Sequence, residues 1–411
     1  MKKIKFLHCS DLHIGNTTHG HINPETRLNT RLEDLMRNLD EMVHYAVEQK
    51  VDIVLISGDI YDKSNPTPVE QCLFAERIKT LSEAEMKVII IPGNHDVTTA
   101  GSGASALDIF EALQVPNVWV CRKPDIMTIL YSDTFGIQIA CLPWTSGANL
   151  MTRDEYREMN QIERRMEIER RLIAIVNDLA SKMNPEYPAI LMGHFAVSGS
   201  VLSGTESQTL AMNEPQIPLS EITNQAFRYV ALGHIHKHQD LNVGFRPPVV
   251  YAGGLERIDF SEEGHRKGYI YGEIELEVYE EKYPSQWVCW YQFNDVPARP
   301  FLTVKLLETG LPETLPGNEI DGAIVRIRYE IADPDKQPDE KALRAMYSRA
   351  FSVKIERIIK HQKPKPRHHV EQEAGPIDAL EKYLKTRPEL AGIAAEMKEV
   401  AEKLLQEKEI E

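Results

Sequence analysis

No run of about 18 consecutive apolar residues occurs anywhere in the 411-residue chain, so no segment reads as a membrane-spanning helix. Before its first acidic and histidine residues the amino-terminal stretch MKKIKFLHCSDLH lacks the apolar core of a secretory leader, and it reads as a first β-strand. Cysteine is scarce and scattered. Cys9, Cys72, Cys121, Cys141 and Cys289 are odd in number and contain no C-x-x-C pair. That pattern excludes a disulfide framework or a zinc ribbon and suits a reducing cytoplasm. An excess of basic residues is also missing: 47 Lys and Arg face 62 Asp and Glu, a formal charge of −15. The balance speaks against a wholly basic nucleic-acid binder, while leaving room for local charge or bound metal to hold phosphate. There is no internal repeat.

What is present is a repeated local pattern. Short β-branched, apolar runs end in small loops that carry Gly, Asp, Asn or His. The runs are Ile4–Cys9, Val51–Ser57, Val88–Ile91, Ala189–Met192 and Tyr229–Leu232, with Ile137–Leu142 as a further strand. Between them lie helical stretches. Leu28, Leu32, Leu35, Leu39, Met42, Val43 and Ala46 recur at helical spacing, and a long charged helix is expected from about Arg153 to Met183. Such α/β alternation gathers function at the carboxyl ends of strands.

The texture changes near Gly268. Aromatic strand-like segments Tyr269–Tyr279 and Trp287–Phe293 lead to a small ββαβ pattern made of Phe301–Leu307, Ala323–Ile331, Glu340–Arg349 and Val353–Ile359. A Pro- and charge-rich stretch, HQKPKPRHHVEQEAGP, reads as a linker. Ile377, Leu380 and Leu384 then mark a short helix. The capping box Thr386-Arg-Pro-Glu389 starts a second one, whose Leu390, Ile393, Met397, Val400 and Leu404 form a coiled-coil-like seam. The expected domains are 1–280, 281–362, a linker at 363–376, and a helical segment at 377–411.

Five motifs close the apolar runs: Asp11-x-His13, Gly58-Asp59, Gly93-Asn94-His95-Asp96, Gly193-His194 and Gly233-His234-Ile235-His236. Any one of them is an ordinary hydrogen-bonding loop. Five such loops on strand ends would leave many polar groups unpaired unless they converge on something. A dinuclear metal site answers that need. Carboxylate, imidazole and amide donors without thiolate suit manganese or iron better than structural zinc. Two dications facing the carboxylates of Asp11 and Asp59 leave about +2, enough to attract a phosphodiester to an acidic protein.

These residues carry a resemblance. DLH, GDIYDKSNP, GNHD, GHF and GHIH resemble the five phosphoesterase motifs of the calcineurin-like metallophosphoesterase superfamily over roughly residues 1–260. The resemblance implies an α/β fold with a metallophosphoesterase β-sandwich flanked by helices, followed by a small α+β capping domain and a carboxyl-terminal helix pair. It implies that Asp11, His13, Asp59 and His236 hold one metal, and that Asp59, Asn94, His194 and His234 hold the other. His95 matches the catalytic histidine, with Asp62 or Asp96 either orienting it or capping its loop. The metals would be Mn2+, with Fe2+ or Mg2+ as alternatives.

Protein phosphatases of the superfamily usually read GDxVDRG and GNHE, and here Lys63 and Ser64 stand in place of the arginine. GDIYDKSNPTP and YAGGLERIDFSEE (251–263) look like the SbcD-type nuclease branch, with Gly253-Gly254 where Gly-Ser is common. That branch implies manganese-dependent exo- and endonuclease action at DNA ends, in repair, recombination and replication. It also implies a homodimer and an SbcC-like coiled-coil ATPase bound through residues 377–411, unless those helices pack on their own domain. His19, Arg27 and Arg31 are candidate DNA contacts. The cluster Lys354, Arg357, Lys360, Lys363, Lys365 and Arg367 is either a further contact or a solvated linker. A small-molecule phosphodiesterase or nucleotidase, and a mainly structural DNA-end tether, are the competing readings.

Overall fold

The structure is a computed structural model that describes residues 2–97, 105–202, 204, 214–277, 286–307, 312, 317–331, 338–359, 376–385, 390 and 392–408. The chain divides into two compact units, Met1–Tyr329 with Pro338–Glu356, and Glu330–Gln337 with Arg357–Glu411.

The first unit is built on two six-stranded sheets. In spatial order the first holds Gln286–Asp295, Gly268–Glu277, Lys3–Cys9, Ile53–Ser57, Lys87–Ile91 and Val118–Val120. The second holds Gln239–Asp240, Val249–Tyr251, Tyr229–Gly233, Ala189–His194, Phe135–Leu142 and Asp125–Ser132. Alternate side chains of the two sheets meet in one core: Ile4, Phe6, Ile53 and Ile89 from one side, Ile139, Ile190, Met192 and Tyr229 from the other. Helices cover the outer faces. Leu35, Leu39 and Phe74 pack on Leu7, Val54 and Val88, and Leu172, Val176 and Leu179 pack on Leu191 and Val230. Central strands are therefore buried on both sides, which is why Ile53–Ile56 and Val88–Ile91 are continuous apolar runs instead of alternating ones.

The α/β sandwich flanked by helices is the fold expected. The long helix is not continuous. It breaks into Arg153–Glu158 and Gln161–Ser181 because Asn160 leaves helical geometry and caps the second piece, in a reciprocal box with Glu163. The strand Gln286–Asp295 pairs with Gly268–Glu277 along its whole length. It therefore lies in the first sheet, beyond the expected domain boundary at 280.

The small sheet Phe301–Lys305, Ile324–Ile331, Ser352–Ile359 carries the helix Glu340–Met346, whose Leu343 is buried with Val325, Ile327 and Tyr347. Two polar ties join it to the sandwich. Arg299 reaches Asp34 through Nε and Nη2 at 2.5 and 2.7 Å, and Glu263 accepts from the Thr303 amide and hydroxyl at 2.8 and 2.5 Å. Burial would raise the Asp34 carboxyl, but Arg299, Arg37 and Arg31 hold it below the usual range.

In the second unit, helices Pro376–Lys385 and Ala394–Lys408 are linked by an ion pair between Glu381 and Lys398. The capping box 386–389 and the basic positions 360, 363, 365 and 367 lie outside the described residues. Among the described residues no helix is long and apolar enough to cross a membrane.

Candidate metal centre

The five motifs come together where the strands of both sheets end. The loops are tight. Asp11, His13, Asp59 and His234 all adopt positive φ, at 52°, 48°, 51° and 99°. Side chains avoid that region, so its presence at four candidate ligands marks a backbone held by its surroundings. The glycines permit the crowding. A Cβ on Gly58 would stand 2.2 Å from His194 Nδ1, and one on Gly93 would stand 2.2 Å from Asp59 Oδ1.

Two groups of donor atoms result. In the first, His13 Nε2 and His236 Nε2 lie 3.0 Å apart, and Asp11 joins them within a ligand-sized cluster. Asp11 is fixed by the Ser10 hydroxyl at 2.5 Å and by the His234 amide at 2.8 Å. In the second, Asn94 Oδ1 sits 3.1 Å from His194 Nε2 and 3.2 Å from His234 Nδ1. Asp59 links the two: it clusters with His194 and His234 and also with His13 and His95. Its Oδ2 is 3.3 Å from His194 Nε2 and 3.8 Å from His13 Nε2. Converging imidazole nitrogens and carboxylate oxygens, buried and aimed at one another, fit two divalent ions that share one carboxylate. A donor set without sulfur is the expected chemistry for hard or borderline ions.

Electrostatics agree with geometry. Burial opposes ionisation of Asp59, yet His194 and His13 hold its carboxyl well below the usual range. Burial likewise depresses His194, but the Asp59 charge outweighs it and pushes the ring up to about 9.

His95 stands at the exposed mouth. Its amide donates to Asp59 Oδ1 at 2.8 Å, its Nδ1 lies 2.8 Å from the Asp62 main-chain oxygen, and its ring meets His13 edge-on at 4.8 Å. The group that orients His95 is thus the carbonyl of residue 62. The Asp62 carboxylate instead accepts from Asn16 Nδ2 at 3.0 Å, and Asp96 caps the loops. Asp96 accepts from the amides of Ile60, Tyr61 and Gly93 at 3.1, 3.0 and 2.8 Å. Burial and Asp59 push its carboxyl up to about 7, against those three amides.

The candidate DNA contacts separate. Arg31 is only 4% exposed and is spent inside the protein, on Asp34 Oδ2 at 2.9 Å, the Arg257 carbonyl at 2.6 Å and Glu256 at 3.4 Å. It is a structural tie and not a phosphate contact. His19 is half-buried, edge-on to Phe260 and Phe301 at 5.2 and 5.6 Å. Arg27 is exposed on the loop before the first long helix.

Several supporting residues are invisible in the sequence pattern. The Ser57 carbonyl holds His194 Nδ1 at 2.8 Å, Trp144 stacks on the His234 ring at 5.7 Å, and Glu214 Oε1 lies 3.1 Å from His234 Nε2. Glu262 holds His236 Nδ1 at 2.8 Å. A main-chain carbonyl leaves no trace in sequence. Glu262 lies within YAGGLERIDFSEE, but its charged neighbours SEEGHRK give no sign that its side chain is buried against His236.

The chain is similar to known proteins. The family model described as calcineurin-like phosphoesterase matches residues 4–238. The SbcD component of the SbcCD nuclease from Staphylococcus epidermidis is 25% identical over 279 residues. That alignment spans 66% of this chain and 66% of the relative. Among solved structures, a dimetal phosphatase from Danio rerio shares 12% identity at a TM-score of 0.39, covering 67% of this chain and 95% of that one. A protein of Thermus thermophilus shares 14% identity at a TM-score of 0.33, covering 66% and 93%.

Proposed function

The chain belongs to the calcineurin-like phosphoesterase family, and from that membership we propose that it is a manganese-dependent DNA nuclease, hydrolysing phosphodiester bonds at DNA ends as the nuclease subunit of an SbcC/SbcD-like complex. The observation that carries the hydrolytic part is Asp59, whose one oxygen faces both histidine groups. The DNA part is supported by the similarity to a nuclease subunit and by the loop GDIYDKSNPTP.

Asp11, His13, Asp59 and His236 would hold one ion, and Asp59, Asn94, His194 and His234 the other. When bound, such a pair activates water and neutralises the phosphate under attack. The protein supplies the rest. Loops held at positive φ fix the ligands before substrate arrives, so little reorganisation is needed at the moment of reaction. His95 donates Nδ1–H to the Asp62 carbonyl, so as an imidazolium it would carry a second proton on Nε2 to give to the departing oxygen, leaving the neutral ring. Arg27 and His19 are the remaining candidates for DNA contact. In the second unit, Ile393 and Val400 are 47% and 56% exposed, an apolar seam suited to the coiled-coil base of an ATPase partner. A homodimer is part of the same proposal.

The test is cleavage of an end-labelled duplex by the purified chain with manganese, with magnesium and after chelation, beside Asp59→Ala and His95→Asn. Manganese-dependent cleavage lost in both variants supports the reading. Hydrolysis of bis-p-nitrophenyl phosphate with no DNA cleavage, even with the ATPase present, would point to a small-molecule phosphodiesterase instead.

A further inference from the structure

Glu262 lies outside the five motifs and beyond the residues matched by the family, on the short 3-10 turn Phe260–Glu262. Both of its oxygens are used. Oε1 is 2.8 Å from His236 Nδ1, while Oε2 is 2.8 Å from Lys267 Nζ and accepts the Ile258 amide at 2.9 Å. Lys267 Nζ in turn donates to the His236 carbonyl at 3.1 Å. The side chains of His236, Glu262 and Lys267 are 8%, 3% and 0% exposed. One residue of the pair grips the His236 ring and the other grips its backbone.

We propose that Glu262 is a positioning residue for a divalent metal ion: it holds His236 as the Nδ1–H tautomer, with the Nε2 lone pair turned toward His13, and Lys267 holds Glu262 in place. This rests on the metal-centre reading above. An imidazole has one lone pair when neutral, and the partner of the other nitrogen decides which side it faces. A carboxylate on Nδ1–H also makes Nε2 a more basic ligand. A buried carboxylate without a counter-charge would be costly, and Lys267 supplies that charge inside the protein. His194 has only the neutral Ser57 carbonyl on its Nδ1, so loss of Glu262 weakens the first donor group and spares the second.

The experiment measures Mn2+ binding by calorimetry to the full chain, wild type beside Glu262→Gln, with thermal melting to check folding. The double variant Glu262→Gln/Lys267→Met, which removes both buried charges together, is measured in parallel. One of two binding events should weaken about 10–100-fold, with the other little changed. In wild-type protein labelled with 15N-histidine, His236 should appear as the Nδ1–H tautomer, and Glu262→Gln should broaden or shift that signal. Unchanged affinities for both ions in the variants, or an Nε2–H tautomer in the wild type, overturns the proposal and leaves the metal centre standing. A wild-type chain that binds no Mn2+ overturns the underlying reading, and the proposal with it.

Discussion

Asp59 Oδ2 lies 3.3 Å from His194 Nε2, and the same oxygen faces His13 Nε2 from the other side at 3.8 Å. One atom therefore serves two groups of histidines. Asp59→Asn is expected to lower affinity for both ions, each by more than the roughly 100-fold seen when only a ligand's supporting residue is lost. Titration with Mn2+ checks this. Loss of one ion with full retention of the other would show that the carboxylate is not shared.

His95 is expected to matter for chemistry and not for metal. His95→Asn should retain two ions by elemental analysis and lose about 10²–10⁴-fold in DNA hydrolysis. The loss should be smaller for bis-p-nitrophenyl phosphate, whose leaving group needs no proton. Equal losses on the two substrates would remove His95 from the role of general acid.

Gly93→Ala probes how tightly the loops are packed. The added methyl would fall 2.2 Å from Asp59 Oδ1 and 2.4 Å from the Asp59 amide. Overpacking of this kind costs about 1–3 kcal/mol. The expected result is a lowered melting temperature together with weakened Mn2+ binding. A variant indistinguishable from wild type in both would mean that the loop relaxes freely.

His8 gives a pH dependence away from the metal ligands. It is fully buried, its Nδ1 is 3.1 Å from the Tyr229 hydroxyl, and burial together with His238 lowers its pKa from 6.5 to about 3. The unfolded chain therefore binds a proton that the folded chain refuses between those values. Stability is lost as pH falls below about 6.5, at about 1.4 kcal/mol per unit. His8→Gln removes this contribution while keeping an acceptor for Tyr229. The difference in unfolding free energy, wild type minus variant, should fall steadily from pH 6.5 to 4. A constant difference would contradict it.

The helix pair is expected to be separable from catalysis. If the proposed coiled-coil ATPase partner binds here, Ile393→Asp with Val400→Asp should abolish the association. It should leave hydrolysis of bis-p-nitrophenyl phosphate unchanged, because the candidate ligands and both variant positions lie in different units of the chain. Retained association in a pull-down of the two purified proteins would move the partner site elsewhere.

What the sequence made legible follows from burial. Ile53–Ser57 and Lys87–Ile91 are covered on both faces, so their composition alone announces strands, and the polar residues that end them stand out. Where a role depends on residues distant in the chain, the signal disappears. Arg31 near the start of a helix reads as solvated or phosphate-binding until Asp34, Glu256 and the Arg257 carbonyl are seen around it. The break at Asn160 was legible in principle, since Asn160 and Glu163 form a capping box. The charged residues on both sides, RDEYRE and QIERRMEIERR, give no sign of it. For His95, the choice between the Asp62 and Asp96 carboxylates missed a main-chain carbonyl, which has no residue type to betray it.

The residues matched by the family end at 238, yet the strand Gly268–Glu277 pairs with the first strand from Lys3 through His8. A fragment cut at 238 would carry every candidate ligand and still leave an open edge beside the strand that delivers Asp11. It would also lack the far half of the hairpin, which ends at Asp295. The inventory of ligands and the smallest piece able to assemble them are therefore different lengths of chain, and any minimal catalytic fragment should be cut beyond Asp295.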